Sequence, residues 1–199
     1  MMITSIRNVT FALAAFLAVA MPAVASELGD DGLHKEDWFA LTFRDMADDI
    51  RAAKADNKRL AIIFEQRGCI YCAAMHEKLL SDPEVRDYIK ANFKVVQYNM
   101  FGDEEVTDLD GEVLTEKKAA RKWGYVFTPT IVFLPDEVPA GKTVAEAAVA
   151  TMPGAFGKWT FLDMFRWVRE KGYEKDEHFQ IYHARHIKEL RAAGKLDAE

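Results

Sequence analysis

Five consecutive apolar residues, Leu60-Ala61-Ile62-Ile63-Phe64, are followed a few positions later by Cys69-Ile70-Tyr71-Cys72, which holds the only two cysteines among 199 residues. The apolar run is too short for a buried helix and suits a strand covered on both faces. Residues 70–80 read as a helix. A strand leading into such a helix must deliver two thiols, at i and i+3, onto one helical turn at the edge of a sheet. There they can close a disulfide. The first can also face solvent, with its thiolate stabilised by the free N–H groups of the helix N-terminus and by Arg67 two residues earlier. Cys69 is accordingly the candidate nucleophile and Cys72 the buried resolving thiol.

Other uses of a Cys-x-x-Cys pair fit less well. A zinc site needs a second pair of ligands, and c-type haem attachment needs His after the second cysteine, where this chain has Ala73. A structural staple gains little chain entropy from so short a loop. Residues 1–25 read as a cleaved export signal. Arg7 is the one charge, 9–20 is an apolar stretch too short to span a bilayer, and Ala23-Val24-Ala25 is a small-x-small cleavage pattern. The expectation is a periplasmic protein with one domain over 26–199. The formal net charge of −6, without a basic block, argues against a nucleic-acid partner.

Strands and helices alternate through the middle of the chain. Residues 38–55 carry apolar residues at helical spacing, from Trp38 through Ile50. Asp82 and Pro83 supply the start of a helix over 84–91. Strands are expected at 60–65, 93–98 and 130–134, with a weaker one at 147–152. Thr115 would cap a helix over 115–123, and 158–171 and 177–193 are amphipathic helices, the second stopped by Gly194. The fold class is α/β, a mixed central sheet with helices on both faces.

The segment Trp123-Gly124-Tyr125-Val126-Phe127-Thr128-Pro129-Thr130-Ile131-Val132-Phe133 resembles the aromatic-Gly turn and Pro-Thr strand of the thioredoxin superfamily. Met152-Pro153-Gly154-Ala155-Phe156 resembles that family's last strand and glycine turn. With the cysteines, the three motifs stand in family order across roughly 60–168. Ser81-Asp82-Pro83-Glu84-Val85 and the tail from Phe161 to Tyr182 look like the periplasmic thioredoxins associated with sulfur oxidation (SoxW-like), and secondarily like the C-terminal reductase domain of DsbD. The resemblance implies a three-layer thioredoxin-like fold with an extra C-terminal helix and a cis bond before Pro129. It also implies a substrate groove formed by Ile70, Tyr71, Thr128, Pro129 and Gly154, in which the Thr128 backbone pairs with an extended substrate segment.

By that resemblance the function is thiol-disulfide exchange without a bound cofactor. The substrate would be a disulfide or persulfide on a partner protein, and re-reduction would come from a membrane electron donor of the DsbD or CcdA type. A Dsb-type oxidase or isomerase and a non-catalytic docking module are the alternatives. Two departures from the family matter. Its usual Trp before the first cysteine is Gly68, and its buried carboxylate six residues before that cysteine is Ile63. Glu65 or His76 would then have to move the proton of Cys72, or Cys72 would deprotonate less readily, with Glu77 a rival and a surface or packing role the other reading of His76.

The 103–114 insertion holds Asp108-x-Asp110-Gly111. Its flanks, Val106 and Lys117, do not suit an EF-hand, so the expectation is a solvated acidic loop. His183 and His186, one helical turn apart, read as surface histidines in the absence of a third metal ligand.

Overall fold

The chain, described here by a computed structural model over residues 27–154 and 156–196, opens with a short antiparallel hairpin, β1 (Glu27–Leu28) and β2 (His34–Lys35). The expected export signal lies outside the described residues. Then follow α1 (Met46–Ala55), β3 (Arg59–Glu65), α2 (Ile70–Met75), which continues as one π-helical turn over His76–Leu80, α3 (Pro83–Asn92) and β4 (Phe93–Asn99). A second small hairpin, β5 (Glu105–Thr107) and β6 (Val113–Thr115), precedes α4 (Glu116–Lys122), β7 (Thr130–Phe133) and α5 (Val144–Ala147). The chain closes with β8 (Ala150–Pro153), α6 (Lys158–Arg169) and α7 (Phe179–Ala192).

The main sheet runs β4-β3-β7-β8. β4 lies parallel to β3, while β7 is antiparallel to β3 and β8 to β7. β3 is buried along its whole length, and its period of two divides the interior. Ala61 and Ile63 join one cluster with Val85, Ile89, Phe133, Phe161 and Phe165 beneath α3 and α6. Leu60, Ile62 and Phe64 join the opposite cluster with Met46, Ile50, Ala119, Trp123 and Val144 beneath α1 and α4. This is the expected α/β three-layer fold, with α7 as the extra C-terminal helix packed against α6.

Several local expectations are corrected. The first helix starts at Met46 rather than near 38. Asp45 caps it by accepting the Asp48 N–H at 2.9 Å, and Arg44 before it has φ +59°. Upstream the chain is extended, and the Ala40 N–H donates to the Val95 carbonyl at 2.7 Å on the open edge of β4. That tertiary contact draws Trp38 and Phe39 onto the core and leaves Leu41 and Phe43 fully exposed. Residues 144–147 are helical ahead of the last strand, held by a capping box between Thr143 and Glu146. Thr115 does occupy the N-cap of α4, but its hydroxyl makes no capping bond.

The insertion is the β5–β6 hairpin, and its Asp108 is buried. One carboxylate oxygen of Asp108 accepts from the Val144 N–H at 2.9 Å; the other accepts from Trp123 Nε1 at 2.8 Å and pairs with Lys122 Nζ at 2.7 Å. This carboxylate ties the insertion to α4 and α5, so the solvated-loop expectation fails at this residue. The final histidines are likewise not free on a helix surface. His183 Nδ1 lies 2.7 Å from Asp163 Oδ2 and His186 Nδ1 2.7 Å from Oδ1, and Asp163 is completely buried on α6.

Asp163 therefore carries much of the polar contact between α6 and α7. Asp163→Ala removes the acceptor of His183 Nδ1 and the carboxylate beside His186, and a stability loss of roughly 1–3 kcal/mol is expected in urea or thermal melts. An unchanged melt would show that apolar packing alone docks α7.

Candidate active site

The redox turn stands where β3 leaves the sheet. Gly68, with φ +72°, turns the chain into the left-handed region, which glycine occupies without penalty and a tryptophan does not. This gives a backbone reason for the missing family Trp. Cys69 is the N-cap of α2, and its Sγ accepts the Cys72 N–H at 3.0 Å. The two sulfurs form a disulfide with the Cα atoms 5.2 Å apart. Cys69 is partly exposed, whereas Cys72 is 1% exposed. That asymmetry makes Cys69 the sulfur an incoming group can reach.

The Thr128 hydroxyl donates to Cys69 Sγ at 3.4 Å. The Thr128–Pro129 bond is cis, and the Pro129 carbonyl accepts the Gly154 N–H at 2.7 Å, with Gly154 at φ +97°. This bond extends the β7–β8 ladder by one step beyond its last pair, Thr130 with Pro153. The structure thus joins Cys69 to Thr128 directly, and Pro129 to Gly154. Ile70 and Tyr71 project into solvent between the cysteines, and Val126, Phe127 and Phe156 add further exposed apolar surface on the two family loops. Those last three stand inside the motif segments but were not read as site residues. Their only signal was large apolar residues in loops, outside any period of two or 3.6.

Beneath the cysteines lies a buried ionic cluster. Period two puts Glu65 on the same face of β3 as Ala61 and Ile63, and its side chain is completely buried. His76 sits at the start of the π turn, also buried, and its backbone N–H reaches the Cys72 carbonyl. Its Nε2 lies 2.9 Å from Glu65 Oε1, and its Nδ1 lies 2.8 Å from Glu36 Oε1. Burial alone would hold the imidazole neutral. The hydrogen bonds and charges of Glu36 and Glu65 outweigh that and push its pKa up to about 9. Gln97 Nε2 donates to the same Glu65 oxygen at 3.1 Å, while Glu65 Oε2 is buried with no hydrogen-bond partner.

Both expected proton-transfer residues are therefore in one cluster, joined by Glu36 from the segment after β2. Glu36 was missed because it lies forty positions from His76, in a stretch without periodicity.

Comparison with known proteins places this geometry. A solved thioredoxin-fold protein from Helicobacter pylori superposes with a TM-score of 0.55 at 20% identity, over 78% of this chain and 89% of that one, and so has the same fold. A thioredoxin from Thermus thermophilus matches at 25% identity over 69% and 99%, with a TM-score of 0.49. The oxidised C-terminal domain of DsbD from Neisseria meningitidis matches at 15% over 60% and 89%, with a TM-score of 0.42. No curated protein matches the sequence. The family model for the thioredoxin-like domain matches residues 46–159, more than half the chain. The chain belongs to the thioredoxin-like family, and the Cys69–Cys72 pair marks it as a thiol-disulfide oxidoreductase.

Proposed function

We propose that this oxidoreductase works in the periplasm as a reductase of a disulfide or persulfide on a partner protein, with sulfur oxidation as its setting and electrons supplied by a membrane donor of the DsbD or CcdA type. The observation that carries the reading is the contrast between a reachable Cys69 and a buried Cys72 within an exposed apolar rim. Val126 and Phe127 offer apolar contact to a peptide. Among the described residues no backbone hydrogen bond engages Thr128, so its peptide groups are open to an extended substrate strand. The export signal read in residues 1–25 supports the location.

In the reduced protein the Cys69 thiolate attacks one sulfur of the substrate disulfide. A mixed disulfide forms, and the other substrate sulfur leaves as a thiolate that takes up a proton. Cys72 then loses its proton and attacks Cys69 Sγ. This closes Cys69–Cys72 and releases the second substrate thiol. Two electrons pass from the dithiol to the substrate. The donor must return them before the next turnover.

Cys72 is buried, so its proton needs an internal acceptor. His76 cannot serve while both ring nitrogens face carboxylates and the ring is cationic, which holds up to a pH of about 9. Glu65 can, because Oε2 is unpartnered and the carboxylate lies on the face of β3 beneath which the cysteine helix packs. His76 then acts as the counter-ion that holds Glu65 in place, a positioning residue rather than the base.

Three measurements test this account. Cys72→Ser should accumulate mixed disulfides through Cys69 in a periplasmic extract, and Cys69→Ser should not; equal trapping by both overturns the assignment. Glu65→Gln should slow the release of product from a preformed mixed disulfide roughly tenfold or more at neutral pH, with the first attack by Cys69 little changed. Equal slowing of both steps would sink Glu65 as the acceptor for Cys72.

The folded pKa of His76 is raised above its unfolded value of 6.5. Its contribution to stability is therefore complete below about pH 6.5 and is lost as pH rises through about 9. Wild type should lose stability across that window, and His76→Gln should lose less.

A further inference from the structure

We infer that the cleft beside Cys69 binds a small disulfide bearing an α-amino-acid head, so that the dithiol also reduces low-molecular-weight disulfides of the cystine type. The inference rests on the reading of Cys69 as an attacking thiolate.

The cleft lies between the β1–β2 hairpin and the loop that carries Cys69, and its volume is about 590 Å³. That is the size of a small-molecule site. Thr128, Pro129 and Gly154 do not line it. It is thus a second approach to the same sulfur, distinct from the groove where a peptide would pair. The hairpin also falls outside residues 46–159, the part matched by the family model. Leu28, Ile70 and Ala73 give apolar walls suited to a methylene-sulfur chain, and Cys69 lies at the wall where exchange would occur.

Three polar residues also line it, Arg67, Asp30 and His34, the first two of opposite charge. The Arg67 guanidinium donates through Nη2 to the Asp30 carbonyl at 3.1 Å. Its side chain passes so close to the hairpin turn that a Cβ on Gly32 would come within 2.5 Å of Nε. The arginine thus lies against the hairpin turn. Among the described residues neither the Arg67 guanidinium nor the Asp30 carboxylate has an ion-pair partner. A guanidinium with free N–H groups accepts a carboxylate, and a nearby carboxylate accepts an ammonium. Together they complement the zwitterionic head of an α-amino acid.

The chemistry balances with the dithiol as reductant. The Cys69 thiolate bonds to one cystine sulfur and breaks the cystine S–S bond, so one cysteine leaves and takes up a proton. Cys72 gives up its proton and attacks Cys69 Sγ, releasing the second cysteine. The protein ends as the Cys69–Cys72 disulfide, and cystine has gained two electrons and two protons.

The test compares three disulfides on the full, pre-reduced protein. Cystamine is cystine without its carboxylates, and dithiodipropionate is cystine without its ammonium groups. The second-order rate constant for oxidation of the dithiol should be at least roughly fivefold higher for cystine than for either. Arg67→Gln should abolish the preference over cystamine and keep that over dithiodipropionate, and Asp30→Asn should do the reverse. Arg67→Lys should keep part of the preference over cystamine. The ratios matter because any effect of Arg67 on thiolate reactivity changes both rates alike and cancels. A wild-type ratio near one, or preferences that survive both changes, overturns the inference while leaving the dithiol reading intact, provided insulin disulfides are still reduced. Inertness toward insulin and every small disulfide would sink the dithiol reading and this inference with it.

Discussion

The site depends on β3 being covered on both faces. Only a central strand with apolar side chains pointing both ways can anchor two cores, and here Ala61 and Ile63 serve one and Leu60, Ile62 and Phe64 the other. Because both faces are committed, a one-residue register slip would place Glu65 in the wrong core, so the end of the strand is held tightly. The redox turn inherits that rigidity. Cys69 follows Glu65 by four residues, across a turn set by one left-handed glycine, and the antiparallel neighbour β7 brings Thr128 to the same sulfur.

The buried Glu36–His76–Glu65 cluster is the costly part of this arrangement. Removing charges from water costs several kcal/mol per ion unless they are paired and hydrogen-bonded. Here one imidazolium satisfies two carboxylates, and Gln97 donates to one of them. The exception is Glu65 Oε2. It is the oxygen that the proton acceptor proposed for Cys72 would use.

Much of the fold was legible because its signals are local. The apolar run of β3, the Asp82-Pro83 helix start, and the order of the cysteine, Thr-Pro and Pro-Gly motifs all survive in the structure. What was not legible is tertiary. The helical spacing from Trp38 onward is broken by the pairing of Ala40 with β4, and the acidic insertion hides one carboxylate whose partners come from α4 and the start of α5. Within the site, the cysteines, Thr128, Pro129 and Gly154 could be picked out as family motifs. Glu36, Arg67 as part of a cleft, and the exposure of Val126, Phe127 and Phe156 could not, since each gains its meaning from a neighbour distant in sequence or from exposure itself.

The proposal that Glu65 takes the place of the family's carboxylate fits the geometry of a strand. The family's buried carboxylate belongs at the position of Ile63, and here the carboxylate is two residues later. A strand repeats its side-chain direction every two residues, so positions 63 and 65 lie on the same face. Ile63 fills the core cluster on that face, and Glu65 lies one pleat nearer the cysteines. At that end of the strand a bare carboxylate would lie buried without a charge partner, which is costly. The move is therefore coupled to His76 on the helix above and to Glu36 on the segment after the N-terminal hairpin, which together make a buried carboxylate tenable one pleat from its usual place.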